Sequence, residues 1–145
     1  MAETVLRAEL AAAGLDGAVV VDSAGTGDWH VGDAMDPGAR AALAGRGLDG
    51  SAHRARQFQP SWLGRRDLIL AMDARNLADL RRMARGQDAY RIRLFSEVGG
   101  LAEVRDIPDP WGGGTDEFGH VLDLLGAAAP VIVARLARLL ETIAE

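Results

Sequence analysis

The order of strand and helix signals predicts a three-layer α/β fold, with an open parallel sheet covered by helices on both faces. Short apolar runs without polar alternation, at 17–22, 67–72 and 92–95, indicate strands buried on both sides. Helix signals separate these runs, and such alternation is typical of the open, flavodoxin-type sheet. The length of 145 residues predicts one domain, spanning 1–145.

Four segments carry helix signals. Apolar residues recur at helical spacing, and we expect helices at 2–13, 37–46, 74–84 and from 118 to the C-terminus. Asp36, followed by Pro37, and Asp73 are the N-cap signals of the second and third helices. Pro130 lies inside the last helical pattern, where it deletes a backbone donor, so we expect a kink or a break there.

Composition limits the possible functions. The net charge of -5 argues against a nucleic-acid partner, because phosphate backbones favour basic surfaces. The sequence shows no secretory signal and no apolar run of about 20 residues, so we expect a cytoplasmic protein without membrane attachment. All 16 basic residues are Arg, a bias typical of high-GC genomes such as those of actinobacteria.

The chain contains no Cys, which excludes disulfides, thiolate metal sites and a thiol nucleophile. The acidic and His residues between 28 and 36 fit no standard spacing of metal ligands, so a solvated acidic loop is the simpler interpretation. We therefore expect neither a metal nor another cofactor.

Three segments have residues suited to chemistry. Asp109 beside Pro110 and Trp111 combines an acid with an aromatic ring on a glycine-rich loop, although an ordinary turn has the same composition. Ser23 and Trp29 follow the first predicted strand, in what is otherwise a simple glycine-rich connection. The third segment, 53–57, contains one His and two Arg. A lone His usually forms a structural hydrogen bond, and Arg side chains at a surface are usually solvated by water.

Taken together and in chain order, six segments resemble the low-molecular-weight protein tyrosine phosphatase family. They are 1–3, 22–26, 28–30, 53–57, 70–73 and 109–110. The resemblance implies hydrolysis of phosphotyrosine through a phosphocysteine intermediate, with Asp109 as the general acid. It also implies that Trp29 and Trp111 flank the phenyl ring.

The same resemblance assigns supporting roles. Ser23 and His53 match the pair that braces the family's phosphate-binding loop, with Glu3 as the carboxylate partner of His53. Asp73 matches the residue that helps to orient that loop. Gly112 stands where the family often has a second aromatic residue, so both phosphotyrosine and phosphoarginine remain open as substrates.

In the family, a first strand leads into a Cys-x5-Arg-Ser loop, and the residues that come after this loop resemble 1–3. We therefore expect this chain to lack the family's central strand, between the strands near Val20 and Ile69, and its phosphate-binding loop. Without a Cys we expect no catalysis by the chain as written, whereas a longer form would act on phosphotyrosine proteins. The alternative is a non-catalytic pseudophosphatase or binding module that binds itself or a partner through exposed strand edges.

Overall fold

Helices lie on both faces of a short parallel sheet in the computed structural model, which describes residues 1–144. The helices are α1 (Ala2–Ala12), α2 (Pro37–Ala44), α3 (Ala74–Met83), α4 (Phe95–Val98) and α5 (Thr115–Ala144), and the strands are β1 (Ile69–Ala71) and β2 (Ile92–Leu94). Two 3-10 helices, Pro60–Arg65 and Gly86–Arg91, precede the two strands. β1 and β2 pair in parallel, with Ile69 opposite Ile92.

The predicted N-caps are confirmed. A carboxylate oxygen of Asp36 accepts the backbone N–H of Gly38 at 2.7 Å, at the first turn of α2. Asp73 accepts the N–H of Asn76 at 2.7 Å, at the first turn of α3. Since a cap fixes where a helix begins, these two residues also fix the loops that lead into α2 and α3.

The last helix passes through Pro130 without the predicted break. Ala129 and Ile132, on either side, are buried in the core, so packing outweighs the loss of one backbone hydrogen bond. Within residues 1–144, α5 is also the helix that is long and apolar enough to cross a membrane by length and composition alone. Its inner face packs against α1 and α2, as the core helix of a globular domain does.

β1 separates two hydrophobic cores. The larger core joins α1, α2, α4 and α5, and Leu70 and Met72 pack against it. The smaller core contains Leu63, Leu80 and Ile92 together with the alternate β1 residues, Ile69 and Ala71. Each face of the strand is therefore covered, which confirms the helices on both faces and, for Ile69–Ala71, the strand covered on both sides that was predicted within 67–72.

The predicted strand at 17–22 is wrong as a sheet element, because residues 19–24 have no regular secondary structure. A strand is held by hydrogen bonds to a neighbouring strand, and the described residues offer this segment none. The carbonyl of Val21 accepts instead from the Arg7 guanidinium, at 2.8 Å. The segment nonetheless alternates like a strand: Val19 and Val21 pack against the larger core, and Val20 is 95% exposed.

Candidate active site

A cavity of about 710 Å³ opens at the carboxyl end of β1. All seven site residues expected from the sequence line it: Glu3, Ser23, Trp29, His53, Asp73, Asp109 and Trp111. They come from the start of α1, the loop after 19–22, the 53–57 segment, the end of β1 and the loop before α5. A volume in this range suits a small ligand or a single side chain of a larger partner.

Glu3 is the hub of the hydrogen-bonded cluster at the cavity wall. Its Oε2 accepts the hydroxyl of Ser23, and its Oε1 lies 2.8 Å from the Arg7 guanidinium. Nδ1 of His53 lies 3.7 Å from the same Oε2, which is an electrostatic contact rather than a hydrogen bond. The first turn of α1 is thereby tied to both the 23–26 loop and the 53–57 segment.

The imidazole of His53 is only partly accessible to water. Burial lowers the pKa of His53 below its ordinary value, and this effect exceeds the opposing influence of the Glu3 carboxylate. A neutral imidazole therefore sits beside Glu3 at pH 7. In that form the ring offers one donor and one acceptor nitrogen to its surroundings.

Asp109 is fixed by its own loop. One of its carboxylate oxygens accepts the backbone N–H of Trp111 at 3.0 Å. The turn closes where the N–H of Gly113 donates to the Pro110 carbonyl at 2.9 Å, and Gly112 adopts φ of +78°, a conformation that favours glycine. The turn expected from this composition is therefore present, and it directs an acid and an aromatic ring toward the same cavity.

Two tryptophans stand at the cavity mouth. The side chain of Trp29 folds back over Gly27, so closely that a Cβ at Gly27 would lie 2.2 Å from the indole. Both rings remain largely exposed, at 77% for Trp29 and 69% for Trp111. The His30 ring lies 6.3 Å from the Trp111 ring, between centroids, and its Nδ1 is 3.2 Å from the Asp33 carboxylate. His30 therefore belongs to the site, a position that spacing along the sequence did not indicate.

Nearly the whole chain matches one family. The family model described as low molecular weight phosphotyrosine protein phosphatase matches residues 1–141. This chain belongs to that family. The low molecular weight protein-tyrosine-phosphatase of Streptomyces coelicolor is 44% identical over 146 residues, covering 97% of this chain and 87% of the relative. YfkJ of Bacillus subtilis is 32% identical, covering 94% of this chain and 86% of the relative.

Solved structures of low molecular weight phosphatases share the fold. The crystal structure of an Entamoeba histolytica protein tyrosine phosphatase, with Hepes in its active site, superposes with a TM-score of 0.90 at 27% identity. The match covers 94% of this chain and 87% of the chain in the crystal structure. The crystal structure of YfkJ gives a TM-score of 0.87 at 31% identity, over 94% of this chain and 85% of that one. The resemblance and the flavodoxin-like fold predicted from the sequence are thus confirmed.

This phosphatase-family chain has one further cluster next to the site. The Asp22 carboxylate pairs with Arg66 at 2.5 Å and with Arg56 at 3.2 Å, and both guanidinium groups lie over the Trp62 ring, about 5 Å from its centroid. Burial by itself raises the pKa of Asp22, but the hydrogen bonds and positive charge of the two arginines outweigh it, so the pKa is lowered overall. Arg56 is therefore paired, and not the free solvated cation that the sequence suggested.

The same cluster positions Ser23. The Arg56 guanidinium donates to the Ser23 carbonyl at 3.1 Å. In addition, Gly25 forms an isolated parallel bridge with Gln57, with its N–H donating to the Arg56 carbonyl at 2.8 Å. The 53–57 segment therefore pairs with the 19–25 segment on one side, at Gly25. On its other side, the 19–25 segment has no neighbouring strand among the described residues.

Proposed function

We propose that this chain forms the body of a low-molecular-weight tyrosine phosphatase site, with Asp109 as general acid and Trp29 and Trp111 as the walls for an aromatic ring. The observation that carries this proposal is the shared cavity, because residues far apart in sequence converge on it. An acid on the cavity rim and two exposed rings suit a phosphate ester of a phenol.

The family reaction defines what each part does. A cysteine thiolate attacks phosphorus, the bond from phosphorus to the aryl oxygen breaks, and Asp109 gives its proton to that oxygen. Water then attacks the phosphocysteine and passes a proton to the Asp109 carboxylate. The sulfur–phosphorus bond breaks, which releases inorganic phosphate and restores the thiolate.

The supporting residues are proposed to hold the loop that carries such a thiolate. Ser23 and His53 contact Glu3 on one wall of the cavity. Asp73 stands at the end of β1, where its carboxylate already caps α3. All four side chains are partly buried at the cavity wall, where a scaffold for a precisely shaped loop has to stand.

The 145 residues contain no Cys, so we propose that they do not hydrolyse phosphotyrosine by themselves. General acid catalysis alone contributes about 10² to 10⁴-fold and leaves the attacking group missing. Ser23 is no substitute, because its hydroxyl donates to Glu3 and is committed to the supporting cluster.

The test compares two proteins in an assay with p-nitrophenyl phosphate. The chain alone is expected to give no turnover, and a fusion that places the family's first strand and Cys-x5-Arg-Ser loop before Met1 is expected to be active. In the fusion, Asp109→Asn should lower kcat by about 10² to 10⁴-fold. Asp116→Asn, a change at an exposed residue of the adjacent helix, is the matched control and should leave kcat unchanged. Turnover by the chain alone, or a fully active D109N fusion, would contradict the proposal.

The proposed substrate of the active form is a phosphotyrosine protein. Gly112 gives the acid loop a single aromatic residue, Trp111, so the phosphoarginine alternative is tested on the same fusion. A higher kcat/KM for a phosphotyrosine peptide than for its phosphoarginine counterpart is expected, because two indole rings favour a planar phenyl group. We propose a cytoplasmic protein without nucleic-acid, membrane or cofactor partners.

A second candidate function is a non-catalytic module that binds a partner or a second copy. The backbone of 19–22 and one edge of β1 favour it, since within residues 1–144 no strand pairs with 19–22 and β1 pairs with β2 alone. Sedimentation of the chain over a range of concentrations tests the self-association that this function includes. A monomer at all concentrations would count against a homo-oligomer.

A further inference from the structure

Four arginines and the exposed Tyr90 lie at the end of the sheet that is opposite the cavity. We call this group, which consists of Tyr90, Arg65, Arg81, Arg85 and Arg91, the basic face. We propose that the basic face binds a short acidic segment of a partner protein. The inference goes beyond the proposed function, because the basic face includes no residue that lines the cavity.

Hydrogen bonds to the backbone bring the members of the basic face together. The Arg91 guanidinium donates to the Arg66 carbonyl at 3.3 Å, which joins the end of the second 3-10 helix to the end of the first, where Arg65 lies. The Arg81 guanidinium donates to the Ile92 carbonyl at 3.3 Å, which brings the last turn of α3 to the start of β2. Both strands begin here, because they pair in parallel register. The cavity lies beyond their carboxyl ends, roughly 10 Å of strand away.

The charge of the chain is unevenly distributed along it. Residues 65–93 contain eight Arg and four Asp, a net charge of +4, although the whole chain carries -5. The remaining residues therefore carry a net charge of -9. The basic face belongs to a positive stretch of an otherwise acidic protein, so the electrostatic field directs a short acidic ligand to this region.

The arginines of the basic face have no carboxylate partner. Within residues 1–144, none of the four forms a salt bridge, whereas Arg66, Arg82 and Arg93 of the same stretch each pair with an acid. Asp67 and Asp88 also lie in this stretch, and they reduce the net charge of the region without cancelling it. Since a guanidinium can bind a carboxylate through two hydrogen bonds, the four arginines can receive carboxylates from another molecule.

Tyr90 adds an aromatic contact to this charge. It is the single Tyr of the chain, and it is 84% exposed. The second 3-10 helix, in which it lies, has no buried residue, so the ring stabilises neither hydrophobic core. Tyr and Arg are enriched at protein interfaces, where a rigid ring supplies contact area at a small cost in side-chain entropy. The basic face therefore has the residue types of a protein-binding surface.

Charge favours a short acidic peptide over a larger polyanion. A nucleic acid or a membrane presents negative charge over a wide area, and it would also approach the part of the protein that carries -9. A short segment of Asp and Glu contacts the basic face alone. Because Tyr90 offers an apolar contact, we expect the segment to have an aromatic or aliphatic residue between its acidic residues.

The experiment titrates the intact chain into a fluorescein-labelled peptide, Glu-Asp-Glu-Phe-Glu-Asp-Glu, and follows the fluorescence anisotropy. The affinity is expected to fall by about tenfold when the salt concentration rises from about 50 to 300 mM, because exposed charges are screened. A peptide with Lys in place of each acidic residue should not bind. No binding of the acidic peptide, equal binding of the Lys peptide, or an affinity independent of salt would overturn the proposal.

The single Tyr also reports where the peptide binds. In NMR spectra, the ring resonances of Tyr90 should shift on addition of the peptide. The indole N–H resonances of Trp29 and Trp111, at the cavity, should stay in place. Shifts of the two Trp signals without a shift of Tyr90 would place the peptide at the cavity and contradict the proposal.

Matched variants test the two kinds of contact. Arg85→Glu should weaken binding by about tenfold, the effect of losing one charge-assisted contact, whereas Arg138→Glu, at an exposed position of α5, should bind normally. Tyr90→Ala should also weaken binding by about tenfold, while Tyr90→Phe keeps the ring and should bind as the wild type does. All three side chains are exposed, so each variant is expected to fold. Equal affinity of the Arg85→Glu and Arg138→Glu variants would exclude the basic face as the binding site.

Two further probes distinguish the classes of ligand. A single-stranded oligonucleotide with the same charge as the peptide, and vesicles that contain phosphatidylserine, are both expected to bind more weakly than the peptide. Tighter binding of either one would show that the basic face recognises a phosphate polymer or a lipid surface, against this proposal. Self-association of the chain that Arg85→Glu abolishes would show that a second copy occupies the face, which would also contradict it.

Discussion

The Arg66 guanidinium holds the Asp22 carboxylate through two hydrogen bonds, from Nε at 3.2 Å and from a terminal nitrogen at 2.5 Å. Both side chains are about 70% buried, at 28% and 30% exposure. This pair joins residues 19–22 to the segment that enters β1, in a place where no backbone ladder does so. Loss of this pair should therefore lower the free energy of unfolding by more than loss of an ordinary surface pair does.

Asp22→Asn is expected to lower the free energy of unfolding by about 1 to 2 kcal/mol, between the usual effects of exposed and buried pairs. The pKa of Asp22 is lowered by folding, so its contribution is present above its unfolded pKa and is lost as pH falls through the folded value. Urea unfolding at pH 7 measures the effect, with Asp116→Asn at an exposed site as control. An equal loss in both variants would contradict this role.

His53 makes the stability of the fold sensitive to mild acid. Folding lowers its pKa, so the unfolded chain binds the proton more readily. Stability should therefore fall as pH drops below about 6.5, the ordinary value for His, until the folded pKa is passed.

The measurement is the difference in unfolding free energy between pH 7.5 and pH 5.5, compared for wild type and His53→Gln. The variant should lose less stability on acidification, because it lacks the titrating group. His120→Gln, at an exposed position of α5, is the control and should behave as wild type. An identical pH dependence in all three proteins would exclude His53 as the source.

Local patterns in the sequence predicted those elements that depend on local interactions. The caps at Asp36 and Asp73 and the apolar run at 67–72 each define their element through neighbours in the chain, and each is present. The strand expected at 17–22 is absent. Its composition is typical of a sheet, but a strand also needs a second strand with which to pair. The break that was one of the two outcomes expected at Pro130 is absent, since burial on both sides of it outweighs a local rule.

The sequence indicated which segments meet at the cavity better than it indicated their contacts. The family resemblance singled out seven residues that are far apart in the chain, and all seven are among those that line the cavity. The pairing of Arg56 with Asp22 and the approach of His30 to Trp111 depend on the path of loops between elements. Such contacts have no periodicity or cap signal in the sequence.

Gly27→Ala tests the placement of Trp29. An added Cβ would lie 2.2 Å from the indole, so the ring must move, while the exposure of Trp29 keeps the cost to stability small. We expect the Trp29 indole N–H resonance to shift in NMR spectra and the resonances of Trp62 and Trp111 to change less. Gly17→Ala, which meets open space, is the control and should leave all three unchanged. An unshifted Trp29 signal in G27A would show that the Trp29 ring does not pack over Gly27.

Gly99→Ala tests the contact between the end of α4 and α5. A Cβ at Gly99 would lie 2.4 Å from Cβ and 3.1 Å from Cα of Ala128, so the backbone of α5 would have to move. Since overpacking of a close helix contact typically costs 1 to 3 kcal/mol, we expect a loss of about 2 kcal/mol in urea unfolding. Gly126→Ala lies in the same helix and meets open space, so it should raise stability by about 0.5 to 1 kcal/mol. Opposite signs for these two substitutions would support the close packing at Gly99, whereas stabilisation by both would contradict it.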